Sequence, residues 1–346
     1  MKNKLSRRGF LSGSAAALAT ASLAPMVTSC QTAPAIPGIN EFGSKFGGVQ
    51  IGAITYSWRS MPGGLENIIK YCKETGINSV ELMSDDLELF LGAPARPASP
   101  PRRRAAPGQE LPPLTPEEQA VIEAAQAAQE KYAADLKAFR MGGVPPEKVA
   151  AAKKLFDDAG IIVHTVKFSP ARWSEEEIDY SFATAKAMGA KAVCDEIGED
   201  AVKKMAPSAE KHGMFAIFHN HRQFAQIEGF SVDPFLAVSP AVMLNFDVGH
   251  YYGCTGWDPC DFIRKYHERI YSIHLKDLTG PQTQPEPDTY QVFGQGETPL
   301  PDVLLLLKKE RWPIYVDIEL EYAIKPWSNQ VKEVKTCVHY ARNFLI

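Results

Sequence analysis

Short apolar runs recur along the chain, each followed by a polar stretch with helical periodicity. The first is QIGAITYSW at 50–58, and residues 64–75 behind it predict a helix. SVELMS (79–84), IIVHTVKF (161–168) and KAVCDEI (191–197) predict the second, third and fourth strands. Four more runs complete eight: MFAIFHNH (214–221), MLNFDVGH (243–250), IYSIHLKD (270–277) and PIYVDIELE (313–321). A helix over 146–158 stops at Gly160, and Ser174 with three following glutamates opens another. Helix-to-strand junctions carry a stop residue at Gly76, Gly160, Gly189, Gly213, Pro240 and Pro313. Strands alternating with helices argue for a parallel α/β sheet, and a count of eight argues for closure. The expected fold is therefore a single-domain (β/α)8 TIM barrel over 49–346. An open doubly wound sheet would show a glycine-rich phosphate turn after its first strand; here that strand ends in Tyr56-Ser57-Trp58-Arg59.

Two segments break the rhythm. Residues 92–115 (GAPARPASPPRRRAAPGQELPPLT) are rich in Pro, Arg and Ala and cannot bury a core, which predicts an irregular surface insertion on the face where strands end. It leads into an Ala- and Gln-rich helix over 117–139. The polar, Pro/Gly-rich stretch from Leu278 to Gly296 is a second loop and a candidate lid.

The N-terminus reads as an address. Ser6-Arg7-Arg8-Gly9-Phe10-Leu11 resembles a twin-arginine export motif, and the Ala-rich stretch to Leu23 is too short for a permanent membrane helix. Val27-Thr28-Ser29-Cys30 resembles a lipoprotein box, making Cys30 a candidate lipid anchor; cleavage after Ala33-Pro34-Ala35 is the alternative. Residues 1–30 are thus expected to be a signal segment and 31–48 a tether. The expected location is periplasmic, or anchored to a membrane outside the cytoplasm. The remaining cysteines (Cys72, Cys194, Cys254, Cys260 and Cys337) form no CxxC pair and are expected as free thiols. A net charge of −4 opposes a nucleic-acid partner, and Arg102-Arg103-Arg104 reads as a solvated loop. A homo-oligomer is compatible with the sequence but not specified by it.

Metal-capable side chains end the last four strands: His219, Asp247, His274 and Glu319. They lie 28, 27 and 45 residues apart, and a βα unit needs about 25–30. In a barrel the strand ends converge on one face, so residues remote in sequence would meet there. Imidazole with carboxylate suits Mn, Co, Mg or Zn, while the absence of thiolate opposes a structural zinc site. Period-2 alternation puts His221 on the face of His219, Lys276 on that of His274, and Glu321 on that of Glu319. Each residue alone has an ordinary explanation: Asp247 as a helix cap, a strand histidine as a core hydrogen-bonder, the HLKD run as a salt-bridged strand end. Their joint occurrence in barrel order outweighs these.

The FDVGH and HLKD segments, the GQGE loop from Gly294 to Glu297 and the terminal strand glutamate resemble the xylose-isomerase-like TIM-barrel family of sugar isomerases and epimerases. The resemblance implies a Mn-type ion held by Asp247, His274 and Glu319 with a glutamate on strand five, and a substrate contact from His250. This chain departs on strand five, where it has His219. That histidine can still ligate, but a symmetric two-glutamate epimerisation is put in doubt, and Glu196 on strand four becomes the candidate replacement carboxylate. The expected catalytic set is Glu319, His219, His250 and Glu196; His221, Lys276, Lys167 and Glu81 are expected to touch substrate. The implied activity is isomerisation or epimerisation of a keto or aldehydo sugar through an enediolate. The alternatives are a 3-keto-glycoside lyase or hydrolase using the same chemistry, a barrel that binds sugar without catalysis, and the endonuclease branch of the superfold, which the charge and the export motif oppose.

Overall fold

The computed structural model describes residues 42–98, 111 and 113–346. The twin-arginine motif, Cys30, the first part of the tether and Arg102–Arg104 lie outside the described residues.

Eight parallel strands close on themselves: β1 (Val49–Ile54), β2 (Ser79–Met83), β3 (Ile162–Lys167), β4 (Ala192–Glu196), β5 (Phe215–His219), β6 (Val242–Asp247), β7 (Ile270–Leu275) and β8 (Tyr315–Ile318). Each pairs with the next, and β8 returns to β1. The TIM barrel expected from the eight runs is the observed fold. Helices cover its outside, and their apolar faces meet the outward strand residues in one large core. A small second cluster of Ala192, Cys194, Ile217 and Tyr271 packs apart from it.

Several boundaries differ from expectation for local reasons. The first strand stops at Ile54, and Thr55–Trp58 winds into a 3-10 turn. There the Ser57 hydroxyl donates to the carbonyl of Ile318 and accepts from the N–H of Leu320, bonds that link the turn to the end of β8. The expected tether is shortened at its C-terminal end, because Lys45–Phe46 pairs antiparallel with Val49–Gln50 and Ser44 bonds to Asn78. The helix after the insertion runs Pro116–Met141 and starts at a capping box between Thr115 and Glu118. Its far end is anchored by Arg140, buried against Glu88 and Glu177 and set 3.4 Å over the Trp173 ring.

Two register shifts alter the barrel lining. In β3 the pairing skips His164, and in β7 it skips Tyr271. Both rings meet Tyr315, and His164 pairs with the buried carboxylate of Asp317. That carboxylate lies where a side chain on Gly52 would project, so glycine is required there. A cavity of about 810 Å³ opens at the strand starts, lined by Phe215, Met243, Tyr271, Trp312 and Tyr315 among others, at the opposite end from the residues that end the strands. Cys72, Cys194, Cys254, Cys260 and Cys337 are free thiols. Among the described residues, no helix is long and apolar enough to cross a membrane.

Candidate active site

The strand ends bring His219, Asp247, His274 and Glu319 together: one ligand-capable atom from each lies within 4.8 Å of the others, and all four side chains are buried. Asp247 ends β6 and also caps the helix Val248–Thr255, its Oδ1 accepting the N–H of His250 at 2.7 Å. Its Oδ2 remains to face the cluster, so capping the helix does not use up the carboxylate. Asn220 fixes this strand end by accepting the Asp247 N–H at 2.9 Å and donating to its carbonyl at 3.2 Å.

Each imidazole is held at both nitrogens. His219 Nε2 lies 3.3 Å from Asp247 Oδ2 and 3.6 Å from Glu319 Oε2, while Nδ1 lies 3.2 Å from Glu196 Oε2. His274 Nδ1 lies 2.8 Å from Glu319 Oε2, while Nε2 lies 3.0 Å from Glu81 Oε2. One nitrogen of each ring thus points at the Asp247–Glu319 pair, and the other meets an outer carboxylate. An outer carboxylate fixes the tautomer and raises the basicity of a ligating imidazole. Two imidazoles and two carboxylates, backed in this way, form a donor set that suits a divalent ion.

The other expected residues take distinct places. Lys276 reaches into the cluster, its ammonium 3.0 Å from both Asp247 Oδ2 and Glu319 Oε2 and 2.7 Å from Glu321 Oε2. His250 Nε2 lies 3.0 Å from that ammonium, and its Nδ1 is buried without a hydrogen-bond partner. Glu196 joins Lys167 at 2.8 Å and His221 at 3.0 Å, and His221 is half exposed at the mouth. Lys167 is therefore the charge partner of Glu196. Glu81, expected to touch substrate, has no exposed side-chain surface, and its Oε2 is taken by His274 and by Asn245 at 2.8 Å.

Asn245 is absent from the expected set of site residues, although period-2 alternation from Asp247 places it on the same face one layer down. Tyr290 is also absent from that set; it sits on a two-residue strand, Tyr290–Gln291, paired with Asp277–Leu278 and too short to give a periodic signal. Its ring lies 5.9 Å from that of His250 and 5.6 Å from the Lys276 ammonium. The loop carrying it is tied down. Asp277 accepts the N–H groups of Gly294, Gly296 and Thr298 at 2.8, 3.0 and 3.3 Å, and Arg222 pairs with Asp288. A side chain at Gly296 would strike the Asp277 carboxylate, which explains the second glycine of GQGE.

Charge partners dominate the protonation states. Burial pushes the Glu81 carboxyl up, but the His274 imidazole beside it outweighs this and holds it at about 2. Burial lowers His274, yet Glu81 and Glu319 raise it to about 9. His250 falls to about 3 because it is desolvated and faces the Lys276 ammonium, which together outweigh Asp247. Glu319 is pushed up by burial and held well below the carboxylate range by Lys276 and His274. A depressed carboxyl stabilises the fold above its unfolded value and loses that contribution as pH falls through its folded one. Glu81 should therefore cost the metal-free protein about 3 kcal/mol as pH drops from about 4.5 towards 2. Chemical denaturation across this range should show a smaller loss for Glu81→Gln than for the wild type, the loss from Glu319 being common to both.

Comparison with known proteins bears on the fold and the family. A family profile described as "Xylose isomerase-like TIM barrel" matches residues 69–337. An inosose dehydratase of Clostridium beijerinckii is 24% identical over 188 residues, covering 44% of this chain and 63% of the relative, so the match spans less than two thirds of that protein. Among solved structures, a probable 3-DHS dehydratase of Bacillus anthracis superposes with a TM-score of 0.55 at 11% identity, covering 84% of this chain and 98% of the other. A 3-keto-D-glucoside 4-epimerase of E. coli gives a TM-score of 0.53 at 10% identity, with coverages of 85% and 99%. Similarity at these identities shows the fold. With the family profile spanning most of the sequence, the chain belongs to the xylose isomerase-like TIM barrel family.

Proposed function

We propose that this protein is a divalent-metal-dependent enzyme that removes the proton next to the carbonyl of a keto or aldehydo sugar. We read the outcome as isomerisation or epimerisation. The observation that carries the proposal is the convergence of His219, Asp247, His274 and Glu319 with an outer carboxylate on each imidazole. These four residues would hold the ion. A divalent ion there supplies Lewis acidity, polarising the sugar carbonyl and acidifying the neighbouring C–H.

The remaining chemistry falls to the protein's own groups. Glu319, kept ionised by Lys276 and His274, is placed to take the proton. The Lys276 ammonium, paired with Glu321, sets positive charge where an oxygen of the substrate gains negative charge. His250, neutral and facing Tyr290, offers a hydrogen-bonding ring beside Lys276. Glu196 and His221 line the mouth, where they can bind sugar hydroxyls. Glu81 touches no substrate and acts through His274. Replacing it with Gln should weaken divalent-ion affinity by about 10–100-fold, measured by calorimetric titration.

A second reading, β-elimination from a 3-keto-glycoside, is favoured by one feature. The proton-transfer groups are asymmetric, with Glu319 facing His219 rather than a second glutamate. One base and one acid suffice for elimination. The names of the proteins this chain resembles include both a dehydratase and an epimerase, so each outcome has a parallel on this barrel. NMR of Mn-loaded protein in D2O, with free ketoses and with 3-keto-glycosides, separates the two. Deuterium in a retained skeleton supports isomerisation or epimerisation, and release of the aglycone with an unsaturated keto sugar supports elimination. Bound metal with neither reaction across both substrate sets would count against an enzyme of this class.

A further inference from the structure

Lys276 extends from the end of β7 two residues beyond His274, so strand alternation turns both side chains into the same space. Two of the three carboxylate oxygens its ammonium touches, those of Asp247 and Glu319, are not spare. Asp247 Oδ1 is spent on the N–H of His250, which leaves Oδ2 as the atom facing His219 Nε2, and this is the oxygen Lys276 reaches at 3.0 Å. Glu319 Oε2 is likewise the oxygen shared by His274 Nδ1 and His219 Nε2, and Lys276 reaches that one too. The ammonium therefore holds the same two atoms that an ion would need from these residues.

Its other partners are different in kind. Glu321 Oε2, at 2.7 Å, belongs to none of the four candidate ligands, and the Glu321 side chain is 19% exposed against 0% for Asp247 and 9% for Glu319. His250 Nε2, at 3.0 Å, is a neutral acceptor. An ammonium has three protons to donate, and here it meets four acceptors. Losing Asp247 and Glu319 would leave it Glu321 and His250, so a second berth is already built. A buried ammonium without a partner would be costly; this one has somewhere to go.

We propose that Lys276 is an internal cation that competes with a divalent ion for Asp247 Oδ2 and Glu319 Oε2, and that Glu321 with His250 is the berth it occupies when the ion binds. The inference rests on the metal reading above and adds to it a device that sets ion affinity. It also gives the two neighbours opposite signs. Removing the ammonium relieves the competition and should tighten ion binding. Neutralising Glu321 removes the charged part of the berth, holds the ammonium on the ligand oxygens, and should loosen ion binding. Simple damage to the site would loosen binding in both variants.

The test is Mn(II) titration calorimetry on the full chain, with thermal unfolding of metal-free and Mn-loaded protein, for wild type, Lys276→Met and Glu321→Gln. The expected result is a Kd lowered about tenfold in Lys276→Met and raised about tenfold in Glu321→Gln. Mn should also raise the Tm of Lys276→Met by more than it raises that of wild type, because tighter binding stabilises the folded state more. Unchanged or weaker Mn binding by Lys276→Met overturns the competition. If that variant does not fold, unchanged or tighter binding by Glu321→Gln overturns it instead. Equal binding by all three proteins removes the competition and leaves the metal reading standing. No binding by any folded protein, with Mn, Co, Mg or Zn, removes both.

Discussion

Replacing Glu319 with Gln is expected to lower metal-dependent proton exchange at the sugar carbon by about a thousandfold, with the barrel still folded. General acid–base groups contribute roughly 10²–10⁴ in rate, and this residue is also proposed to hold the ion. The substitution preserves volume and a hydrogen-bonding oxygen but removes the charge at the atom that His219, His274 and Lys276 all reach. An amide oxygen can still receive one of these donors; it cannot accept a proton from carbon at useful rates. Exchange in D2O followed by NMR gives the rate, and circular dichroism checks the fold. A loss of less than about tenfold would move the base to another group, with His250 and His219 next in reach.

Asp247→Ala should have the largest effect on stability of any single change at the site. It removes one of the three carboxylates around the buried Lys276 ammonium; with Glu319 and Glu321 still in contact, the cost stays below the roughly 3–5 kcal/mol of a buried charge left without a partner. It also removes the cap on the helix Val248–Thr255, worth roughly 1 kcal/mol. The two losses share one residue and need not add. Asp247→Asn separates them, because an amide oxygen can keep the His250 N–H bond while the charge is lost. Urea denaturation of the metal-free proteins should therefore place Asn between wild type and Ala. Both variants should lose Mn binding. Equal stability of all three would mean that Lys276 is adequately held by Glu319 and Glu321 alone.

The barrel was legible because its strands are apolar runs bounded by stops, and the four ligand-capable residues because they end those runs. Details that depend on contacts between distant strands were not. Glu81 is 193 residues from His274, and nothing near it in sequence marks it as the carboxylate behind that imidazole. The skipped residues His164 and Tyr271 look like ordinary members of alternating strands, so their turn toward Tyr315 follows from register alone. Asp277 reads as a salt-bridged strand end, yet its carboxylate clasps backbone N–H groups about twenty residues ahead. Alternation did place Lys276 beside His274. It could not show that a four-carbon stem would carry the ammonium back over the ligand oxygens.

The most direct measurement is the anomalous density of a crystal soaked in Mn(II). One peak is expected, bonded to His219 Nε2, Asp247 Oδ2, His274 Nδ1 and Glu319 Oε2, with the Lys276 ammonium drawn off towards Glu321. A peak lodged instead between Glu196 and His221, or no ordered peak at the four strand ends at saturating Mn, would contradict the assignment of this site as the metal centre.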